Sequence, residues 1–123
     1  MNLLLVDDEQ EICLLLKALL TRYGAHTVMA HSLHEASEQL NDGRYDGIFL
    51  DVNLPDGKGY DLIPALRDHS PNARVIVISA MDQEREHALA AGADIFLSKP
   101  LDRKSILDGL RKVHLLDPEK EIN

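Results

Sequence analysis

The chain has 123 residues, 45% hydrophobic and 28% charged, values of an ordinary globular domain that buries roughly two-thirds of its unfolded surface without staples. A formal charge of −8 makes it a poor ligand for DNA or RNA, and its single cysteine, Cys13, excludes an internal disulfide and fits a reducing cytoplasm. Residues 1–6 lack the basic flank of a signal peptide, and no stretch approaches the roughly eighteen apolar residues of a membrane span, so the expected location is the cytoplasm.

Strand and helix signals alternate along the chain. Leu3-Leu4-Leu5-Val6 reads as a strand ending at Asp7-Asp8. Residues 9–22 then carry Ile12, Leu15, Leu16 and Leu19 at helical spacing, with acids in the first turn facing the helix dipole and Gly24 as the stop. Cys13 is expected on the flank of this helix, with Leu14 and Ala18 on another face. His26 to Ala30 is a second strand, and Ser32-Leu33-His34-Glu35 has the form of a capping box opening a second helix. Tyr45 to Leu50 is the third strand and ends at Asp51. Residues 51–59 read as a loop because Pro55, Gly57 and Gly59 fall within nine positions. A third helix spans about residues 60–69. Val75-Ile76-Val77-Ile78 is the fourth strand, ending at Ser79, and residues 83–91 form a short helix. Ile95-Phe96-Leu97-Ser98 is the fifth strand, running into Lys99-Pro100. Residues 105–116 form the last helix, and residues 117–123 a polar tail.

Uninterrupted aliphatic runs of this kind suit strands buried on both faces, and strict alternation implies right-handed βαβ crossovers in a doubly wound parallel sheet. Ligands of such sheets bind beyond the carboxyl ends of the strands, where Asp7, Asp8, Asp51, Ser79 and Lys99 would converge. Neighbouring carboxylates repel, and a hard divalent cation such as Mg²⁺ relieves that repulsion while keeping several waters. Either Asp7 or Asp8 alone reads equally well as a helix cap. Asp51 is the candidate nucleophile, since a carboxylate oxygen can attack phosphorus to give an acyl phosphate. Lys99 would neutralise charge, the Ser79 hydroxyl would donate to a phosphate oxygen, and backbone N–H groups at Val52-Asn53 and Ala80 would complete a cradle.

Four motifs in order carry a resemblance: Leu5-Val6-Asp7-Asp8-Glu9, Leu50-Asp51-Val52-Asn53-Leu54-Pro55-Asp56-Gly57, Ile78-Ser79-Ala80, and Gly92-Ala93-Asp94-Ile95-Phe96-Leu97-Ser98-Lys99-Pro100. Over nearly its whole length the chain resembles the receiver domain of bacterial two-component response regulators. The resemblance implies a flavodoxin-like α/β sandwich with strand order 2-1-3-4-5, occupying residues 1–116, with residues 117–123 as a tail or the start of a linker. It implies that Asp51 accepts a phosphoryl group from the phosphohistidine of a sensor histidine kinase or a histidine phosphotransfer protein. Asp8, Asp51 and the Asn53 backbone carbonyl would ligate Mg²⁺, with Asp7 acting through water. Ser79 and Lys99 would bind phosphoryl oxygens, and Phe96 would be the aromatic that turns inward as Ser79 moves. The Lys99-Pro100 bond is expected to be cis. The output would be the surface of the fourth helix, fifth strand and fifth helix, which controls an effector domain or protein; the resemblance allows a homodimer through that face. Such a domain catalyses only its own phosphorylation and dephosphorylation.

Met81, two residues past Ser79, is apolar, and with Asn53 it flanks the expected path of a hydrolytic water. We expect it to prolong the phosphorylated state. The histidines are expected on surface helices or loops. Two rival readings fit less well. A haloacid-dehalogenase-like phosphatase would want a second aspartate where Asn53 stands, and a flavin carrier would want a Ser/Thr/Gly-rich loop where Asp7 and Asp8 stand. An interaction module without phosphorylation would have no use for all the site residues.

Overall fold

The computed structural model describes residues 1–117, and within them the sequence alternation becomes a three-layer α/β sandwich. Strands β1 (Asn2–Val6), β2 (His26–Ala30) and β3 (Gly47–Asp51) are followed by a small hairpin, β4 (Asn53–Leu54) and β5 (Gly57–Lys58). The chain then forms β6 (Arg74–Ser79) and β7 (Ile95–Ser98). Helices α1 (Gln10–Thr21), α2 (Leu33–Asp42), α3 (Ile63–His69), α4 (Arg85–Ala90) and α5 (Arg103–Lys112) alternate with the strands. The main sheet is parallel throughout, in the order β2-β1-β3-β6-β7, which is the predicted 2-1-3-4-5 once the hairpin is set aside. Among the described residues no helix is long and apolar enough to cross a membrane. The expected tail falls at residues 118–123, outside the described residues apart from Asp117.

Alternate residues of a strand face opposite sides, and here both sides are covered. Leu4, Val6, Ile48, Leu50, Val75 and Val77 pack toward Ala36 and Leu40 of α2, Ile63 and Leu66 of α3, and Ala88 of α4. Leu3, Leu5, Phe49, Ile76 and Ile78 pack toward Cys13, Leu16 and Leu20 of α1 and Ile106, Leu107 and Leu110 of α5. Each fully buried aliphatic side chain contributes about 1.5–3 kcal/mol, so the centre of the sheet is the rigid frame from which the strand ends project.

Several local expectations need correction. Leu15 is exposed and Cys13 is fully buried, the reverse of the predicted helix face. The buried stripe runs through Cys13, Leu16, Leu19 and Leu20. At about 100° per residue, Leu15 points well away from its centre near Leu16 and Leu20. A run of three leucines cannot say by itself which of them faces the core. The 51–59 loop contains the β4–β5 pairing, Asn53 opposite Lys58 and Leu54 opposite Gly57, and strands this short leave no period-two signal. The third and fourth helices each open with a 3₁₀ turn, at Gly59–Leu62 and Asp82–Glu84. Helix α5 starts at Arg103 because Asp102 is its N-cap: the Asp102 carboxylate accepts from the Ser105 N–H at 2.7 Å, and the Ser105 hydroxyl accepts from the Asp102 N–H at 3.3 Å. It ends at Lys112, two residues before His114 takes a left-handed φ of 63°.

The N-terminus of α2 is capped from two directions. Ser32 Oγ accepts from the Glu35 N–H at 3.1 Å as the sequence predicts. Asp56, in the β4–β5 turn, accepts from the N–H groups of Leu33 and His34 at 2.8 and 3.0 Å, and these bonds lower its pKa. The loop that follows Asp51 is thereby tied to the neighbouring helix. A second restraint is steric. A Cβ on Gly59 would stand 1.8 Å from the Asp51 carbonyl oxygen, a clash with backbone that no side-chain motion relieves. We expect Gly59→Ala to cost about 2 kcal/mol or more in urea denaturation, since overpacking against fixed backbone has no cheap relaxation. Gly43→Ala, where the added Cβ meets nothing closer than 4.0 Å, serves as the near-neutral control.

Candidate functional site

The carboxyl ends of β1, β3, β6 and β7 lie at one edge of the sheet, and the side chains there meet. Asp7 and Asp51 are buried, whereas Asp8 is exposed at the mouth. One carboxylate oxygen from each of Asp7, Asp8 and Asp51 lies within 4.8 Å of the other two. Lys99 Nζ sits among the acids, 3.0 Å from Asp7 Oδ2, 3.5 Å from Asp51 Oδ1 and 2.9 Å from Glu9 Oε1. Its side chain is only 11% exposed, so it serves the cluster rather than the solvent. The Lys99-Pro100 peptide is cis, as expected.

Glu9 is a residue that the sequence reading left without a role. Its place in the Asp7-Asp8-Glu9 run was the available signal, but a third acid in an opening helical turn reads first as a dipole partner. Asp7 Oδ1 accepts from the Glu9 N–H at 2.9 Å, a local turn bond to the N-cap residue, and α1 has no side-chain cap. Asp7 Oδ2 is different. It is buried and close to the ammonium, yet it makes no well-directed hydrogen bond. An under-coordinated buried oxygen beside two further carboxylates suits a hard divalent cation, and the cluster fits one.

Burial dominates the acid–base character of the pocket. It pushes Asp51 up to about 7, helped by the negative charge of Asp7 and opposed by Lys99. Asp7 is also raised, again chiefly by burial, against the Glu9 N–H and the Lys99 ammonium. For Lys99, burial alone would lower the pKa, but Glu9, Asp7 and Asp51 together outweigh it and hold the ammonium above its usual range. Cys13, below the site, is pushed up to about 11 by burial and is held as a thiol.

Ser79 is buried at the end of β6, and its Oγ accepts from the Met81 N–H at 3.1 Å, which leaves the hydroxyl proton free to donate. Of the backbone donors expected to form a cradle, Val52 N–H is already committed to the Ile78 carbonyl at 3.1 Å, because the ladder runs one residue past the strand end. Asn53 and Met81 are both exposed at the mouth and touch, with Asn53 Nδ2 3.9 Å from Met81 Sδ. Lys58, which carried no sequence signal, donates to Asn53 Oδ1 at 2.8 Å across the hairpin. Phe96 is already turned inward, 5% exposed, with the Arg85 guanidinium carbon 4.7 Å above its ring. Five of the histidines are exposed as expected, whereas His31 is half-buried with Nδ1 2.9 Å from the Asp7 carbonyl oxygen.

Fold and site together define a receiver-type module, and comparison with known proteins agrees. Residues 3–111 match the response regulator receiver domain, and the chain belongs to that family. It is 34% identical over 114 residues to the transcriptional regulatory protein CpxR of Escherichia coli, covering 91% of this chain and 48% of CpxR, so the chain spans about half the length of that relative. It is 32% identical over 115 residues to the chemotaxis protein CheY of Thermotoga maritima, covering 91% of this chain and 96% of CheY. Among solved structures it resembles a response regulator from Burkholderia pseudomallei crystallised with a phosphorylated aspartic acid, a calcium ion and citrate. That likeness has a TM-score of 0.82 and 30% identity, over 93% of this chain and 69% of the other.

The raised Asp51 pKa fixes a pH dependence. Below the unfolded value near 3.8, Asp51 is protonated in both states. Between there and about 7, the folded protein keeps a proton that the unfolded chain has released, so stability falls as pH rises through this window. In metal-free buffer, Asp51→Asn is therefore expected to unfold at a higher temperature than the parent chain at pH 7.5. The margin should shrink toward pH 4, which thermal melts across that range would measure.

Proposed function

We propose that this chain takes a phosphoryl group onto Asp51 from the phosphohistidine of a sensor histidine kinase or histidine phosphotransfer protein. The observation that carries this is the Asp51 carboxylate itself, held almost fully buried at the end of β3 with an ammonium at 3.5 Å and two further acids at metal-sharing distance. In the transfer, an Asp51 oxygen bonds to phosphorus as the phosphorus–nitrogen bond breaks, and the imidazole leaves with the electron pair. The reaction needs in-line placement and charge neutralisation more than proton transfer. Lys99 and the Ser79 hydroxyl bind the phosphoryl oxygens. Asp8, Asp51 and the Asn53 backbone carbonyl, with Asp7 beside them, would hold Mg²⁺. Bound there, the ion supplies the remaining neutralisation of phosphoryl charge.

The new group brings about −1.5 to −2 charges and three strong acceptors. These pull on Ser79 and Lys99, shift the β6–α4 loop and favour the inward position of Phe96, so the face made by α4, β7 and α5 changes its population. Moving such a switch from 1:99 to 99:1 takes about 5.5 kcal/mol, which a few charge-assisted hydrogen bonds provide. That face then controls an effector domain or protein, or pairs with a second copy. The kinase side is expected at α1, where Leu14 and Leu15 are exposed and Leu15, Ala18, Leu101 and Ile106 line a hollow of about 290 Å³.

Intact mass after incubation with acetyl phosphate and Mg²⁺ tests the reading. The expected result is one base-labile phosphoryl adduct, absent from Asp51→Asn and from an EDTA control. No adduct would turn the reading toward a module that acts by binding alone. A second expectation concerns lifetime. Met81 places a thioether, a weak hydrogen-bond acceptor, beside Asn53 at the mouth, so it gives an incoming water little help. Met81→Glu should shorten the life of the adduct about tenfold, under the ceiling for a positioned general base. An unchanged half-life would remove Met81 from the account.

A further inference from the structure

The hairpin after Asp51 brings an unassigned cation to the mouth of the site. Asn53 and Lys58 are paired across β4 and β5, which puts the Lys58 ammonium 2.8 Å from Asn53 Oδ1. An ammonium can only donate, so it decides which end of the Asn53 amide faces it: the oxygen turns to Lys58 and the NH₂ turns to Met81 Sδ, 3.9 Å away. Lys58 is itself held from the other side. Glu84, in the turn before α4, has Oε1 3.8 Å from Lys58 Nζ, and its Oε2 accepts from the Tyr60 hydroxyl at 3.3 Å.

The geometry points to Lys58 as a positioning residue that slows loss of the phosphoryl group by occupying the one acceptor on the Asn53 side chain. The inference rests on Asp51 being the phosphoacceptor. In hydrolysis a water oxygen bonds to phosphorus, the phosphorus–oxygen bond to Asp51 breaks, and Asp51 leaves as a carboxylate. The other product is dihydrogen phosphate, which retains both water protons. To attack, the water must aim its lone pair at phosphorus and its hydrogens at acceptors. The Asn53 amide oxygen at the mouth could be such an acceptor, but Lys58 holds it turned away and the NH₂ end faces Met81. Met81 sulfur offers a weak substitute. Releasing Lys58 frees the amide to turn and orient the water.

The experiment follows decay of the Asp51 adduct by intact mass after removal of acetyl phosphate, alongside the initial rate of its formation. Lys58→Met, which keeps the stem and loses the donor, should raise the ratio of hydrolysis to phosphorylation rate by about threefold to tenfold, the factor one hydrogen bond of ordinary strength is worth. Lys58→Arg retains a donor and should restore the slow decay. In an Asn53→Ala background, which keeps the backbone carbonyl, Lys58→Met should have no further effect. A merely loosened site would slow formation and decay together, and that result overturns the inference. An adduct whose lifetime Lys58→Met leaves unchanged also overturns it, with the phosphoacceptor reading intact. Absence of any adduct on the parent chain overturns both.

Discussion

One ammonium set among several carboxylates is the constraint on which the rest depends. Lys99 Nζ reaches Asp7, Asp51 and Glu9 from a largely buried position, and Asp8 stands close enough to share a cation with two of them. Coulomb attraction here does not add free stability. Removing charges from water costs several kcal/mol per ion, and a buried pair recovers it only with good geometry and hydrogen bonds. The acids outnumber the lysine, so burial drives Asp51 up to about 7 and leaves Asp7 Oδ2 without a directed bond. The pocket is therefore under-neutralised by construction, and added positive charge or protons stabilise it. The proposed cation binding and phosphoryl transfer would both use that imbalance.

The frame makes the imbalance tolerable. Asp7 follows the buried residues 3–6 of β1 and Asp51 ends the buried strand β3, so the acids cannot retreat into solvent without disrupting the sheet. The loop after Asp51 is restrained by the Gly59 contact, by the N–H of Gly59 to the Val52 carbonyl at 2.7 Å, and by Asp56 at the end of α2. These restraints link Asp51 to the hairpin that carries Asn53 and Lys58. Through Glu84 the hairpin also touches the turn preceding α4, the part of the chain that would have to move when Ser79 is drawn toward a new phosphate. Site and α4 turn are thus joined by side-chain contacts a few residues long.

Much of this was legible in the sequence because strands buried on both faces leave continuous aliphatic runs, and each run here stops at a polar residue. The doubly wound parallel sheet and the convergence of Asp7, Asp8, Asp51, Ser79 and Lys99 followed from that pattern, whereas the strand order came from the family resemblance. What stayed hidden has physical reasons. Leu15 was misassigned because consecutive leucines carry no phase, and Cys13 because one small residue cannot outweigh them. Glu9 and Lys58 act through side chains long enough to reach partners on other segments, and reach is not encoded in local spacing. The Val52 N–H was assigned to a cradle although the ladder continues past the strand end and claims it. The β4–β5 pairing involves too few residues to show a period.

The pocket lacks positive charge, and one divalent cation would correct this by ionising the carboxylates. Calorimetric titration of Mg²⁺ into the unphosphorylated chain at pH 7, in two buffers of different ionisation enthalpy, tests it most directly. Saturable binding of one ion per chain is expected, with release of a measurable fraction of a proton as the cation draws Asp51 into its ionised form. Binding without proton release, or no saturable binding at all, would contradict it.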